Sequence, residues 1–196
     1  MKNKLLLLLF AFTLTVTAQE ENKQTEKNTS RFGIKGGYNL ASIKTDSNGT
    51  TDNRHGFHIG IFGESFISDF FSIQPELMYS QQGYKIENEL YELEQRLNYL
   101  NLPIMLKVYP DEAFYLELGP QVGYAISHKE ELKSNILTTT KSFEPNSFDW
   151  GVNAGLGFRS RSGFSIGARY HLGLGKIYED SDTFNRLIQF SCGLDF

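Results

Sequence analysis

Residues 115–125 read YLELGPQVGYA. Leu116, Leu118, Pro120, Val122 and Tyr124 form one alternate set, large and apolar. Tyr115, Glu117, Gly119, Gln121, Gly123 and Ala125 form the other, mostly small or polar with one carboxylate. A period of two is the mark of a β-strand with two unlike faces. In a soluble protein the apolar set would be the core. In a membrane barrel it would meet lipid, and the polar set would line the inside.

The pattern recurs along the chain. Alternation and turn residues mark about eight strands, near 32–41, 57–67, 71–83, 97–109, 113–127, 147–159, 163–175 and 186–196. The connections at Ser68-Asp69, Pro110-Asp111-Glu112 and Ser160–Ser162 are tight. Those at about 42–56, 84–96, 128–146 and 176–185 are long and polar. Tight turns on one side and long loops on the other suit an eight-stranded antiparallel up-and-down transmembrane β-barrel, an all-β fold with short periplasmic turns and long extracellular loops. The second long connection, YKIENELYELEQR, keeps apolar residues and reads as a hairpin continuing past the membrane or a short helix. Its apolar phase is odd (Tyr91, Leu93, Leu97), whereas Leu100, Leu102, Ile104 and Leu106 are even, which predicts a phase flip and a bulge near Tyr99.

Glycine decides the facing. The polar sets hold Gly33, Gly37, Gly60, Gly119, Gly123, Gly151, Gly155, Gly157, Gly167, Gly173 and Gly193. A water-washed strand surface favours Thr, Lys or Glu, because glycine weakens a strand and covers nothing. On the concave side of a narrow barrel, where space limits, glycine is sensible. The charges on this face are sparse and mixed in sign: Lys35, Lys107, Arg159 and Arg169 against Glu64, Glu76, Glu117, Asp149 and Asp195. That balance predicts an enclosed, structural polar network, since a buried charge without a partner is costly. The opposite face is aliphatic, with aromatics near both strand ends: Phe32, Phe71, Phe114, Phe158, Phe164 and Phe196 by the tight turns, Tyr38, Phe57, Tyr79, Tyr124, Phe148, Trp150 and Tyr170 by the long loops. Two aromatic bands around an aliphatic belt fit two membrane interfaces. Pro75, Pro103 and Pro120 fall inside strands at similar heights, which predicts a patch of bulged or stretched pairing.

The chain opens MKNKLLLLLFAFTLTVTAQE. Lys2 and Lys4, an apolar run and Val16-Thr17-Ala18 have the layout of a secretory signal peptide, expected over residues 1–18. Residues 19–30, QEENKQTEKNTS, read as a flexible polar leader, and 31–196 as the barrel domain. Without Lys2 and Lys4 the 19 basic residues fall to 17 against 23 acidic ones, a formal charge of −6. That argues against a nucleic-acid partner. Cys192 is the single cysteine, so no disulfide forms within one chain.

Motif chemistry is thin. His58 should point inward near Glu64 and His171 near Arg169, as network members rather than bases. The GPQVG and GLGF segments lie within strands and lead into no helix, so they are not phosphate loops. Asp46, Asn48 and Asp52 lack a Glu at calcium-loop spacing and read as an Asx-rich turn. No catalytic, cofactor or metal residues are expected.

Several segments resemble a known family: FGIKGGYNLAS (32–42), GFHIGIFGE (56–64), IQPELMYSQQG (73–83), YLNLPIMLK (99–107), LELGPQVGY (116–124) and the closing SCGLDF (191–196). Together they resemble the PorT-like outer-membrane β-barrels of Bacteroidetes, over residues 31–196. The resemblance implies an eight-stranded barrel, a signal peptide and outer-membrane residence. The terminal Phe196 resembles the C-terminal aromatic recognised by barrel-insertion machinery. The family's namesake is linked to protein secretion, and no catalytic motif carries over.

The expectation is a small non-enzymatic outer-membrane barrel, porin-like in build. Its partners would be membrane lipid, the insertion machinery and a protein met at the long loops, in a structural, adhesion or secretion-accessory role. Eight strands leave an interior just filled by side chains, so an open pore is not expected. The alternatives are a barrel enzyme, lipid-modifying or proteolytic, with a Ser at hydrogen-bond distance from His58 or His171, and a soluble lipocalin-like carrier with the opposite facing.

Overall fold

The computed structural model describes residues 30–44, 52–87, 91–134, 138–141, 147–178 and 181–196. The expected signal peptide, nearly all of the leader, and Asp46 and Asn48 lie outside the described residues. The strands are β1 (Arg31–Lys44), β2 (Asp52–Phe66), β3 (Phe71–Glu87), β4 (Tyr91–Val108), β5 (Phe114–Ser134), β6 (Thr138–Lys141), β7 (Phe148–Arg159), β8 (Phe164–Tyr178) and β9 (Ser181–Asp195).

Every pairing is antiparallel, and sequential neighbours pair except where β6 intervenes. The sheet closes on itself: β1 pairs with β9 through Ile34↔Leu194 and Tyr38↔Phe190, and β4 pairs with β5 through Leu102↔Val122. Eight strands make the barrel, and closure removes every edge there. The ninth strand, β6, pairs only with the upper part of β5, through Glu130↔Lys141 to Lys133↔Thr138. This strand lies within the 128–146 connection, which the sequence pattern presents as a long loop.

Facing follows the alternation. In β5, Tyr115, Glu117, Gly119, Gln121, Gly123 and Ala125 are buried, and Leu116, Leu118, Pro120, Val122 and Tyr124 are exposed. Leu118 is 62% exposed while Gln74 and Asn153 are fully buried, the inverse of a soluble core. The exposed apolar surface is continuous around the barrel, far beyond the patch a soluble monomer carries. Phe32, Phe71, Phe158 and Phe164 project at the tight-turn rim, and Tyr38, Tyr124, Phe148 and Trp150 at the other.

The tight turns are hydrogen-bonded. Between β7 and β8, Ser160 N donates to Phe164 O at 2.8 Å and Gly163 N to Ser160 O at 3.1 Å. Gly163 has φ +84°, a conformation that side chains resist. The opposite ends run long. β3, β4 and β5 have 17, 18 and 21 residues, against the roughly 9–11 that cross a bilayer. The β3–β4 segment is therefore a projecting hairpin, not a helix. It is zipped from Ser80↔Tyr99 to Glu87↔Glu92, with β5 and β6 continuing the sheet.

The expected phase flip in β4 does not occur. Leu97 and Tyr99 point inward, in step with Asn101 and Lys107. The register shift is real but its extra residue is Ile126 on β5: Asn98 pairs with Ser127 and Tyr99 with Ala125. A bulge on the partner strand realigns the ladder and leaves the alternation of β4 intact. At the prolines the pairing is stretched rather than bulged. Pairing lapses between Pro75↔Ile104 and Met78↔Asn101, and between Pro103↔Gln121 and Leu106↔Leu118, then resumes with unchanged offset. Proline lacks the N–H that the ladder needs there.

Candidate functional site

The functional geometry lies in the lumen and at the long-loop end. β3 and β8 stand on opposite walls, and Arg169 of β8 crosses the lumen to Glu76 of β3. Its Nη1 donates to Glu76 Oε2 and its Nη2 to Glu76 Oε1, both at 2.8 Å. The same guanidinium forks onto Glu117 of β5, Nε to Oε1 at 2.6 Å and Nη2 to Oε2 at 3.0 Å. Lys35 Nζ adds 2.8 Å to Glu76 Oε1, and Gln74 Nε2 donates to the same oxygen at 2.6 Å. Bidentate forks are the strong form of ion pair and fix both partners in place. Four strands are thus tied by one cluster across the barrel.

Toward the tight turns, Glu64 accepts from Ser72 Oγ at 2.6 Å and Tyr109 OH at 2.5 Å, with Lys107 Nζ at 3.7 Å. Lys107 also lies 4.2 Å from the Tyr115 ring centroid, a cation–π distance. Arg159 bonds Asp195, with Nε 3.1 Å from Oδ1. Below them a mouth of about 720 Å³ opens between the turns, lined by Arg31, Phe66, Tyr109 and Arg159 among others.

Toward the long loops the lumen changes character. Asp149 meets no described cation; Asn185 Nδ2 donates to it at 2.8 Å. Asn153 joins Gln121 at 3.1 Å and His171 Nδ1 at 2.9 Å. Above these, Leu97, Tyr99 and Ala125 form an apolar cluster against Ile43, with Ala41 and Leu187 also buried. Of the network expected from sequence, Lys35, Glu76, Glu117 and Arg169 come together, Glu64 and Lys107 form a second group, Arg159 and Asp195 a third, and Asp149 stands apart. The apolar cap was missed, although Ala41, Ile43 and Leu187 interrupt the polar alternation at strand ends on one side only.

His58 does not bond Glu64. Its Nδ1 lies 2.7 Å from Asn39 Oδ1 and its Nε2 2.9 Å from Ser191 Oγ, a Ser–His–Asn order. The order alone does not make a nucleophile. Asn39 is fully committed: its Nδ2 donates to Phe57 O, Ser80 Oγ and Gln81 O, and Gln189 donates to its Oδ1. His58 is 2% exposed, enclosed in the lumen with both ring nitrogens held by Asn39 and Ser191. No group of His, Cys, Asp and Glu among the described residues has metal-ligating geometry. The lipocalin-like alternative needs an apolar lumen, and this lumen is polar and filled.

Residues 17–179 match the family model described as outer membrane protein beta-barrel domain. The chain belongs to that family. It is a small outer-membrane β-barrel protein. Neisserial surface protein A is similar in fold, with TM-score 0.55 and 13% identity, covering 86% of this chain and 99% of that one. Ail, the attachment invasion locus protein of Yersinia pestis, is similar at TM-score 0.54 and 20% identity, covering 85% and 99%. A second Ail structure, solved with the heparin analogue sucrose octasulfate, gives TM-score 0.53 and 19% identity over the same shares. No curated protein sequence matches the chain.

Proposed function

We propose that this outer-membrane barrel is a closed, non-enzymatic platform. Its work is done by the sheet that β3, β4, β5 and β6 raise above the membrane, in adhesion or as an accessory to protein secretion, within the PorT-like group of Bacteroidetes. The observation that carries this reading is the pairing of a plugged lumen with a projecting sheet. Arg169 and its carboxylates bar the middle, Leu97, Tyr99 and Ala125 cap the top, and the longest strands continue outward where a pore-former would need none of them. The partner is a protein met at the long-loop side. Barrel-insertion machinery would read Phe196, which is 74% exposed beside Phe32, its N donating to Phe32 O at 2.9 Å.

The test has two arms. Reconstituted in a planar bilayer, the protein should show no discrete conductance steps. A variant with 84–95 and 129–144 replaced by tight turns should still form a compact, heat-modifiable barrel, yet fail to restore surface attachment or extracellular protein release to a deletion strain. Steady channel openings, or full restoration by the trimmed variant, would overturn the reading.

A further inference from the structure

The lumen ends at the tight turns in a mouth of about 720 Å³, the size of a small-ligand site. Arg31, Phe66 and Tyr109 line it. The Arg31 guanidinium lies over the Phe66 ring, 4.6 Å from its centroid, and the Phe66 and Tyr109 ring centroids are 5.4 Å apart. The ring attracts the charge but offers no oxygen to its N–H donors. Arg31 is half-buried and stands opposite Glu64 in the β1–β2 ladder. Glu64 is committed elsewhere, to Ser72, Tyr109 and Lys107.

The acids around the mouth are engaged as well. Asp195 pairs with Arg159, and Glu112 pairs with Arg161 at 3.0 Å, joining the β4–β5 and β7–β8 turns. Asp111 Oδ1 accepts from Ala113 N at 3.1 Å, and Asp69 has a partner of its own. Among the described residues, Arg31 is thus the cation of this mouth without an acceptor oxygen. A guanidinium held over an aromatic floor in a concave site, with its donors unused, is prepared for the two-pronged fork of a carboxylate. Asp69, Asp111 and Glu112 on the same wall select against higher charge, since a phosphate dianion would meet about twice the repulsion that a carboxylate meets.

We propose that the mouth binds a carboxylate of an acidic peptide segment, with Arg31 as the ligating cation and Phe66 and Tyr109 as the apolar floor beneath it. Two sources carry that chemistry. One is a separate protein chain met at the tight-turn side. The other is the leader, whose Glu20, Glu21 and Glu26 precede Ser30 at the rim of the barrel, where Ser30 Oγ lies 3.2 Å from Ser65 Oγ. The site stands at the opposite end of the barrel from the projecting sheet and does not depend on the role given to that sheet.

The experiment is an NMR titration of the isotope-labelled, detergent-solubilised protein, its fold first established by the heat-dependent gel shift. The probes are acetyl-Ala-Glu-Glu-Ala-amide, the same peptide with both Glu as Gln, and inorganic phosphate. Each is added to the wild type and to E20Q/E21Q/E26Q, which removes the carboxylates of the leader and leaves the barrel as it is. The amides of Arg31, Phe66 and Ser160 should shift saturably with the Glu peptide, and those of Gly36 and Val122, in the lipid belt, should not. Losing a charge-assisted pair weakens binding by about tenfold or more. R31Q, made in the protein that binds, should show that loss, and K85Q, at the long-loop end, should not. Tighter binding of the added peptide to E20Q/E21Q/E26Q than to the wild type assigns the site to the leader, and equal binding assigns it to a separate chain. Glu and Gln peptides that act alike on both proteins, phosphate binding more tightly than the Glu peptide, or an unchanged R31Q would each overturn the proposal. The comparison of the two peptides stands even if R31Q does not fold.

Discussion

Gly37 shows how tightly the lumen is drawn. A Cβ there would lie 1.9 Å from Phe190 O, a backbone atom that cannot step aside. Gly63, on the outward face, would meet nothing nearer than 3.9 Å. Gly37→Ala should therefore destabilise the barrel by about 1–3 kcal/mol, while Gly63→Ala should leave stability nearly unchanged. Urea unfolding in lipid vesicles measures both. Arg169 makes the sharper case. Its removal in Arg169→Gln leaves Glu76 with Lys35 alone and strips Glu117 of its cation, and a buried charge left without its partner costs about 3–5 kcal/mol. The unboiled compact band should then convert at a lower temperature. An unaltered conversion temperature would mean that the cluster is decorative. The inward position of these charges was legible in the alternation. Their partners were not, because Arg169 reaches Glu76 across the lumen, and no local spacing encodes a diameter.

The strands divide at the membrane boundary. Below it the period of two reads without error, since lipid on one side and a filled lumen on the other impose opposite demands at every step. Above it the inner face is no longer uniformly polar, since Leu97, Tyr99 and Ala125 close it with apolar side chains, and the contrast between the two faces weakens. The odd apolar phase of Leu97 predicts a flip near Tyr99 that β4 does not make, and HKEELKSNILTTTKSFEPN reads as a loop where β6 forms. Leu97 faces inward because the bulge at Ile126 lets β5, not β4, absorb the mismatch. Phe62 and Met78, apolar residues on the polar side, are not visible from pattern alone, because their side chains occupy the space over Gly33 and Gly60. The boundary itself is testable. Leu118→Arg lies within the lipid belt and should cost about 2–4 kcal/mol, whereas Phe158→Arg at the tight-turn interface should cost about 0–1 kcal/mol. Equal costs at the two positions would place the belt elsewhere.

The closed sheet, polar inside and greasy outside, accounts for the composition of the chain. A mean hydropathy of −0.34 would suit a soluble protein, yet it is the average of two faces that never share a solvent. No helix among the described residues is long and apolar enough to cross a membrane, and none is needed. Stability without a disulfide comes from closure, from the forks at Arg169 and from hydrocarbon around the belt. The single tryptophan reports on this arrangement directly. Trp150 is about half exposed, next to Phe148 at the long-loop end of β7. In vesicles containing phospholipids brominated at shallow or deep acyl positions, its fluorescence should be quenched strongly by shallow bromines, less by deep ones, and weakly by aqueous iodide. Efficient iodide quenching with no response to either bromolipid would turn the apolar face away from the membrane and contradict the account.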